Sequence, residues 1–131
     1  MPATPDGRPS AGSQQAAISR EIVRLLHEYT GRGPTKARTH INNDLVTVVL
    51  EDTLTMGERS LVADGKTQHV LATRKAFQET MSVKMVAAVE EHSGRRVLAF
   101  LSANHVDPDI AVETFILVPV SSDGAEAPSE V

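Results

Sequence analysis

Residues 35–51 read Thr-Lys-Ala-Arg-Thr-His-Ile-Asn-Asn-Asp-Leu-Val-Thr-Val-Val-Leu-Glu, and this stretch decides the fold. From Thr35 to Ile41, Ala37, Thr39 and Ile41 alternate with Lys36, Arg38 and His40, the period of a half-buried strand. From Leu45 to Glu51 the residues are β-branched and mostly apolar on both faces, which predicts a central strand covered on two sides. Asn42-Asn43-Asp44 tolerates positive φ, so the two runs are expected to form a hairpin.

On the N-terminal side, the spacing of Ile18, Ile22, Leu25, Leu26 and Tyr29 predicts a helix over 14–29, with Arg20, Glu21, Arg24 and Glu28 facing water. Thr30-Gly31-Arg32-Gly33-Pro34 ends it. On the C-terminal side a short helix follows from Thr53, with Thr55 and Glu58 at capping-box spacing and Leu61 and Val62 expected to face inward. Asp64-Gly65 closes it. A longer helix runs to about His92 with Val70, Phe77, Met81, Met85, Ala88 and Val89 on one face, and Gly94 stands where a terminating glycine belongs. Met81 and Met85 beside Phe77 read as core. Val97–Ser102 and Ile110–Val118 read as two further strands joined by residues 103–109. The order is α-β-β-α-α-β-β. The expected class is α+β: a two-layer sandwich with a four-stranded, largely antiparallel sheet and helices packed on it.

The Pro/Gly/Ser-rich residues 1–13 and the polar, acidic residues 119–131 are expected to be disordered tails around a domain spanning 14–118. Net charge is −4, but the C-terminal tail holds −3 of it, so the domain is near neutral. Four aromatic residues and this charge balance argue against nucleic acid as a partner. With no cysteine there is no disulfide, thiolate nucleophile or Cys-ligated metal. No apolar run reaches the roughly 18 residues of a membrane span, and the N-terminus lacks signal-peptide character. A cytoplasmic protein without membrane insertion is expected.

Two segments carry candidate chemistry. Gly31, Arg32, Gly33, Thr35, Lys36 and Arg38 combine three cations, two glycines and a hydroxyl, a plausible seat for a small anion such as phosphate, carboxylate or bicarbonate. The same glycines also serve simply to end a helix, and the cations to solvate a strand. The spacing fits neither a phosphate-binding P-loop nor a dinucleotide fingerprint. Asn104, His105, Asp107 and Asp109 could bind a hard cation or perform acid–base chemistry, although Asp107-Pro108 is also an ordinary turn. The sequence defines no metal-ligand set, no catalytic residue and no cofactor.

The runs 18–62 and 74–117, above all Gly-Arg-Gly-Pro-Thr-Lys-Ala-Arg (31–38) and Ser-Ala-Asn-His-Val-Asp-Pro-Asp-Ile-Ala-Val-Glu-Thr-Phe (102–115), resemble the MpsC domain. That domain is the C component of a sodium-translocating membrane-potential-generating system. The resemblance implies a small cytoplasmic bacterial protein, encoded with a cation-transporter-like membrane subunit and linked to membrane potential and bicarbonate supply. It brings no assigned catalytic residues with it.

Three functions are therefore expected in decreasing order: a non-catalytic accessory or regulatory domain that docks on a membrane transporter subunit or another protein; an anion or nucleotide-phosphate sensor using 31–38; and a small enzyme using Arg32, Lys36, His105, Asp107 and Asp109. An open four-stranded sheet has edges to protect, so a homodimer is expected as well.

Overall fold

The computed structural model describes residues 10–120. Apart from residues 10–13 and 119–120, the expected disordered tails lie outside the described residues.

Helix α1 (Ala11–Thr30) begins three residues ahead of the expected start, because the Ser10 hydroxyl accepts from the Ser13 amide at 3.2 Å and caps it. Gly31 adopts φ 77° and donates its N–H to the His27 carbonyl, so the left-handed terminator is where the sequence placed it. The hairpin follows as β1 (Lys36–Asn42) and β2 (Leu45–Glu51), with Asn43 at φ 55° in the turn. Helix α2 (Met56–Ala63) carries the complete capping box: Glu58 N–H donates to Thr55 Oγ1 at 3.1 Å and Thr55 N–H to Glu58 Oε1 at 2.8 Å. The long helix α3 (Thr67–Ser93) ends at Gly94, φ 70°. A second hairpin, β3 (Val97–His105) and β4 (Ile110–Leu117), completes the chain.

The sheet is fully antiparallel in the order β1-β2-β4-β3, which makes β2 and β4 the central strands. Both long helices lie on one face. Ile18, Ile22, Leu25 and Leu26 of α1 and Met81, Met85 and Val89 of α3 form a single core with Val46, Val48 and Leu50 of β2 and Ala111, Phe115 and Leu117 of β4. The rings of Phe100 and Phe115 stack at 4.8 Å beneath α3.

Three expectations need correction. β2 is central, but its second face carries no helix, and Thr47 and Val49 there remain half-buried. Leu61 does not face inward: it is 39% exposed, and α2 buries no residue fully. The reason is placement. α2 contacts the beginning of α3 and sits beyond the end of the sheet rather than over it, held by polar ties instead of an apolar stripe. Finally, β3 extends three residues past the expected Ser102, so Asn104 and His105 belong to a strand and the connection shrinks to residues 106–109.

Candidate functional site

The end of the sheet where β1 starts, β2 ends and β4 starts meets α2, and between them opens a cleft of about 600 Å³. Its walls are Lys36 and Thr35 from the first candidate segment, Glu51 and Asp52 from the end of β2, Arg59 and Val62 of α2, and Asp107, Pro108 and Asp109 from the second candidate segment. Sequence segments some seventy residues apart thus share one depression.

The two segments enter it unequally. Of the first, Thr35 and Lys36 line the cleft. Gly33 packs against Val23 and His27 of α1 and lines a separate groove on the outer side of that helix. Gly31 is the helix terminator. Arg32 reaches Asp52, with Nη2 to Oδ2 at 2.7 Å and Nε donating to the Asp52 carbonyl at 3.3 Å. Arg38 stands 3.5 Å from Glu51, and Lys36 is 4.0 Å from the same carboxylate. Each of the three cations therefore has an acidic partner on the neighbouring strand end. The isolated reading of 31–38 as a +3 segment missed this, because Glu51 and Asp52 are distant in sequence and adjacent only across the hairpin register, where Lys36 pairs with Glu51.

Of the second segment, Asp107 and Asp109 line the cleft, while Asn104 turns to a small internal void beside Glu113. His105 is exposed, and its Nδ1 lies 2.8 Å from the Pro108 carbonyl, closing the turn. Asp109 is a tether. Its Oδ1 accepts from Thr53 Oγ1 at 3.0 Å, its Oδ2 accepts from the Leu54 amide at 2.9 Å, and its carbonyl accepts from the Asp52 amide at 3.1 Å. Arg59 adds an ion pair to Asp52 and a longer approach to Asp109 at 4.0 Å. These contacts fasten the start of α2 to the end of the sheet, and being partly solvated they are individually weak.

Beneath the cleft lies a buried polar cluster that sequence reasoning did not single out. Arg74, 4% exposed, sits on the apolar stripe of α3 one turn after Val70. Its guanidinium grips Glu58 through Nε at 2.8 Å and Nη2 at 2.7 Å, and also donates to Thr53 Oγ1 and the Thr53 carbonyl. Burial pushes the Glu58 carboxyl up, but Arg74 and the Thr55 amide more than reverse this and hold it below the usual carboxylate range. Glu113, on the buried face of β4, is 1% exposed. Burial drives its pKa up to about 7, against smaller opposing pulls from the Ser102 hydroxyl, Arg74 and Gln78. Gln78 reaches Glu113 Oε1 at 3.5 Å. Among the described residues, Glu113 Oε2 and Ser102 Oγ are two of three buried side-chain polar atoms without a hydrogen-bond partner. Ser102 faces Glu113 across the ladder, outside hydrogen-bond geometry yet near enough to favour the charged form. A signal for Glu113 was present: it interrupts Ala111, Phe115 and Leu117 at period two.

Chemically, the cleft presents matched cations and acids, with apolar lining from Leu54, Val62 and Ile110. It offers cationic groups to an anion only in competition with Glu51, Asp52 and Asp109. Among the described residues, no three His, Asp or Glu stand close enough to hold a metal ion. No helix among them is long and apolar enough to cross a membrane.

A family profile described as "Na+-translocating membrane potential-generating system (MpsC)" matches residues 10–118. No curated protein and no solved structure matches the chain.

Proposed function

The chain belongs to the MpsC family, and from that membership we propose that it is a non-catalytic accessory component of a sodium-translocating, membrane-potential-generating system, acting on a membrane-embedded partner. The observation that carries the non-catalytic part is the pairing in and beside the cleft. Arg32, Lys36, Arg38 and Arg59 each face a carboxylate, and Asp109 spends both oxygens on Thr53 and Leu54. Arg59 and Asp109 hold α2 to the sheet end, and the pairs to Glu51 and Asp52 brace the hairpin beside it; a general acid or base needs an atom free for substrate, and of the carboxylates lining the cleft Asp107 alone is unpaired among the described residues. In this reading the cleft is a regulatory joint, and a partner or ligand that competes for its ion pairs alters how α2 is held.

The test is loss and rescue in the host. Deleting the chain is expected to lower the sodium-dependent component of the membrane potential, and restoring it, including as the Lys36→Ala variant, is expected to recover that component. An unchanged sodium-dependent potential after deletion refutes the role.

A second reading, favoured by Thr35 and Lys36 lining the cleft, makes this depression an anion-sensing site. Bicarbonate or inorganic phosphate at a hundredfold over Kd should then add about 2.7 kcal/mol to stability. No upward shift in Tm with either anion eliminates it.

A further inference from the structure

The two edges of the sheet are built differently. The β1 edge is guarded: Lys36, Arg38 and His40 stand exposed along it, and Gln15 of α1 reaches over so that its Oε1 accepts from the Ile41 amide at 3.0 Å. Charges and a helix covering the edge are the usual defences against another strand adding there. The β3 edge has neither, and its one irregularity, a register shift between Val97 and Ala99, is confined to the start of the strand. Its nine residues, Val-Leu-Ala-Phe-Leu-Ser-Ala-Asn-His, contain no Asp, Glu, Lys, Arg or Pro, and Leu98 and Leu101 are 54% and 57% exposed. Among the described residues, no side chain hydrogen-bonds a β3 amide beyond Val97, whose N–H donates to Glu90. Beside this edge, α3 and Phe100 enclose a groove of about 460 Å³, and Val83 on its rim is 77% exposed.

We infer that the β3 edge and the adjoining face of α3 are the interface for a second copy of this chain, with β3 pairing antiparallel to β3 of the partner across a two-fold axis and Val83 and Ala87 of each α3 meeting across the same axis. The occupant follows from three features. A row of unpaired backbone groups calls for another strand. An antiparallel edge pairs with itself isologously, so one surface serves both subunits. And the uncharged strand brings no like charges together on the axis, while Glu90, the acid lining the adjoining groove, is tied to the Val97 amide. The size fits: nine strand residues at about 3.3 Å span about 30 Å, and a sheet with its helix layer is about 20 Å deep, a flat footprint of about 600 Å² per copy. Two copies then bury about 1,200 Å², above the roughly 1,000 Å² that a specific interface needs. The guarded β1 edge limits assembly to a closed dimer rather than a fibre. This inference does not depend on the sodium-translocation reading.

The experiment is sedimentation equilibrium of the full chain at 1–100 µM, with Val83→Glu and Ala87→Lys as edge variants and Thr47→Lys as a control on the uncovered face of the sheet. None of the three positions is a fully buried core residue, and circular dichroism of each variant verifies folding. The expected result is a dimer for the native chain and for Thr47→Lys, with the dimer Kd raised at least tenfold in both edge variants. A monomer at 100 µM overturns the inference. So does a dimer that survives Val83→Glu and dissociates with Thr47→Lys, which would place the contact on the open sheet face.

Discussion

Glu113→Gln isolates the most unusual group in the core. In the folded chain burial raises the Glu113 carboxyl to about 7, against an ordinary 4.5. Because the folded value is the higher one, the group carries no penalty below about pH 4.5, where both states hold the proton. Between 4.5 and 7 the unfolded chain ionises first, so stability falls by about 1.4 kcal/mol per pH unit. Above 7 both states are charged and the loss levels off at about 3–4 kcal/mol, the 2.5-unit difference at about 1.4 kcal/mol each. Glutamine keeps the shape, still faces Gln78 and never ionises. The variant should therefore match the native chain within about 1 kcal/mol at pH 5 and exceed it by up to about 3 kcal/mol at pH 8. Urea unfolding of both proteins at half-unit steps from pH 5 to 8.5 reads this directly. Only the difference between them matters, because Glu58 titrates in the opposite sense, stabilising at high pH and losing that contribution in acid. Parallel stability curves, or a variant weaker than the native chain at pH 8, would refute the reasoning.

Arg74→Ala should cost about 3–5 kcal/mol by leaving the Glu58 carboxylate buried without its partner, read as a drop in the urea midpoint; Arg74→Met combined with Glu58→Gln should recover part of it. Gly31→Ala places a side chain at φ 77° and should cost about 1–2 kcal/mol, whereas Gly33→Ala, whose added methyl lies 3.5 Å from Val23 Cγ1, should stay within about 0.5 kcal/mol; thermal unfolding separates the two. Asp109→Asn leaves one of its two acceptor oxygens as a donor facing Thr53 or Leu54 and should cost about 1–3 kcal/mol, with faster hydrogen exchange concentrated in residues 52–63.

Local patterns made most of the fold legible. The helical spacing from Ile18 to Tyr29, the capping box at Thr55, the glycines at 31 and 94 and the Asn42-Asn43-Asp44 turn all act within a few residues, and each stands in the structure where its chemistry requires. The failures involve partners that only the fold supplies. Leu61 looked like an inward residue because an amphipathic period does not say whether anything lies beneath it, and α2 overhangs the sheet end. Val49 looked two-side covered because an apolar strand face reads the same whether or not a helix covers it. The cations of 31–38 looked unopposed until hairpin register brought Glu51 alongside Lys36. Convergence of residues 35–36 with 107–109 depends on strand order, and no spacing in the chain encodes it.

The strand order β1-β2-β4-β3 also has a temporal meaning. Each hairpin closes between near neighbours, but Leu45 pairs with Ile116, 71 positions later. Local structure can form as the chain emerges, while the β2–β4 ladder must await the last strand, and a pairing this non-local is slow to nucleate. Until then a nascent chain complete through α3 presents Val46, Val48 and Leu50 on a strand whose inner edge is still unpaired. The interval between the synthesis of β2 and the arrival of β4 is thus when this protein is most exposed to aggregation, and when a chaperone would matter most.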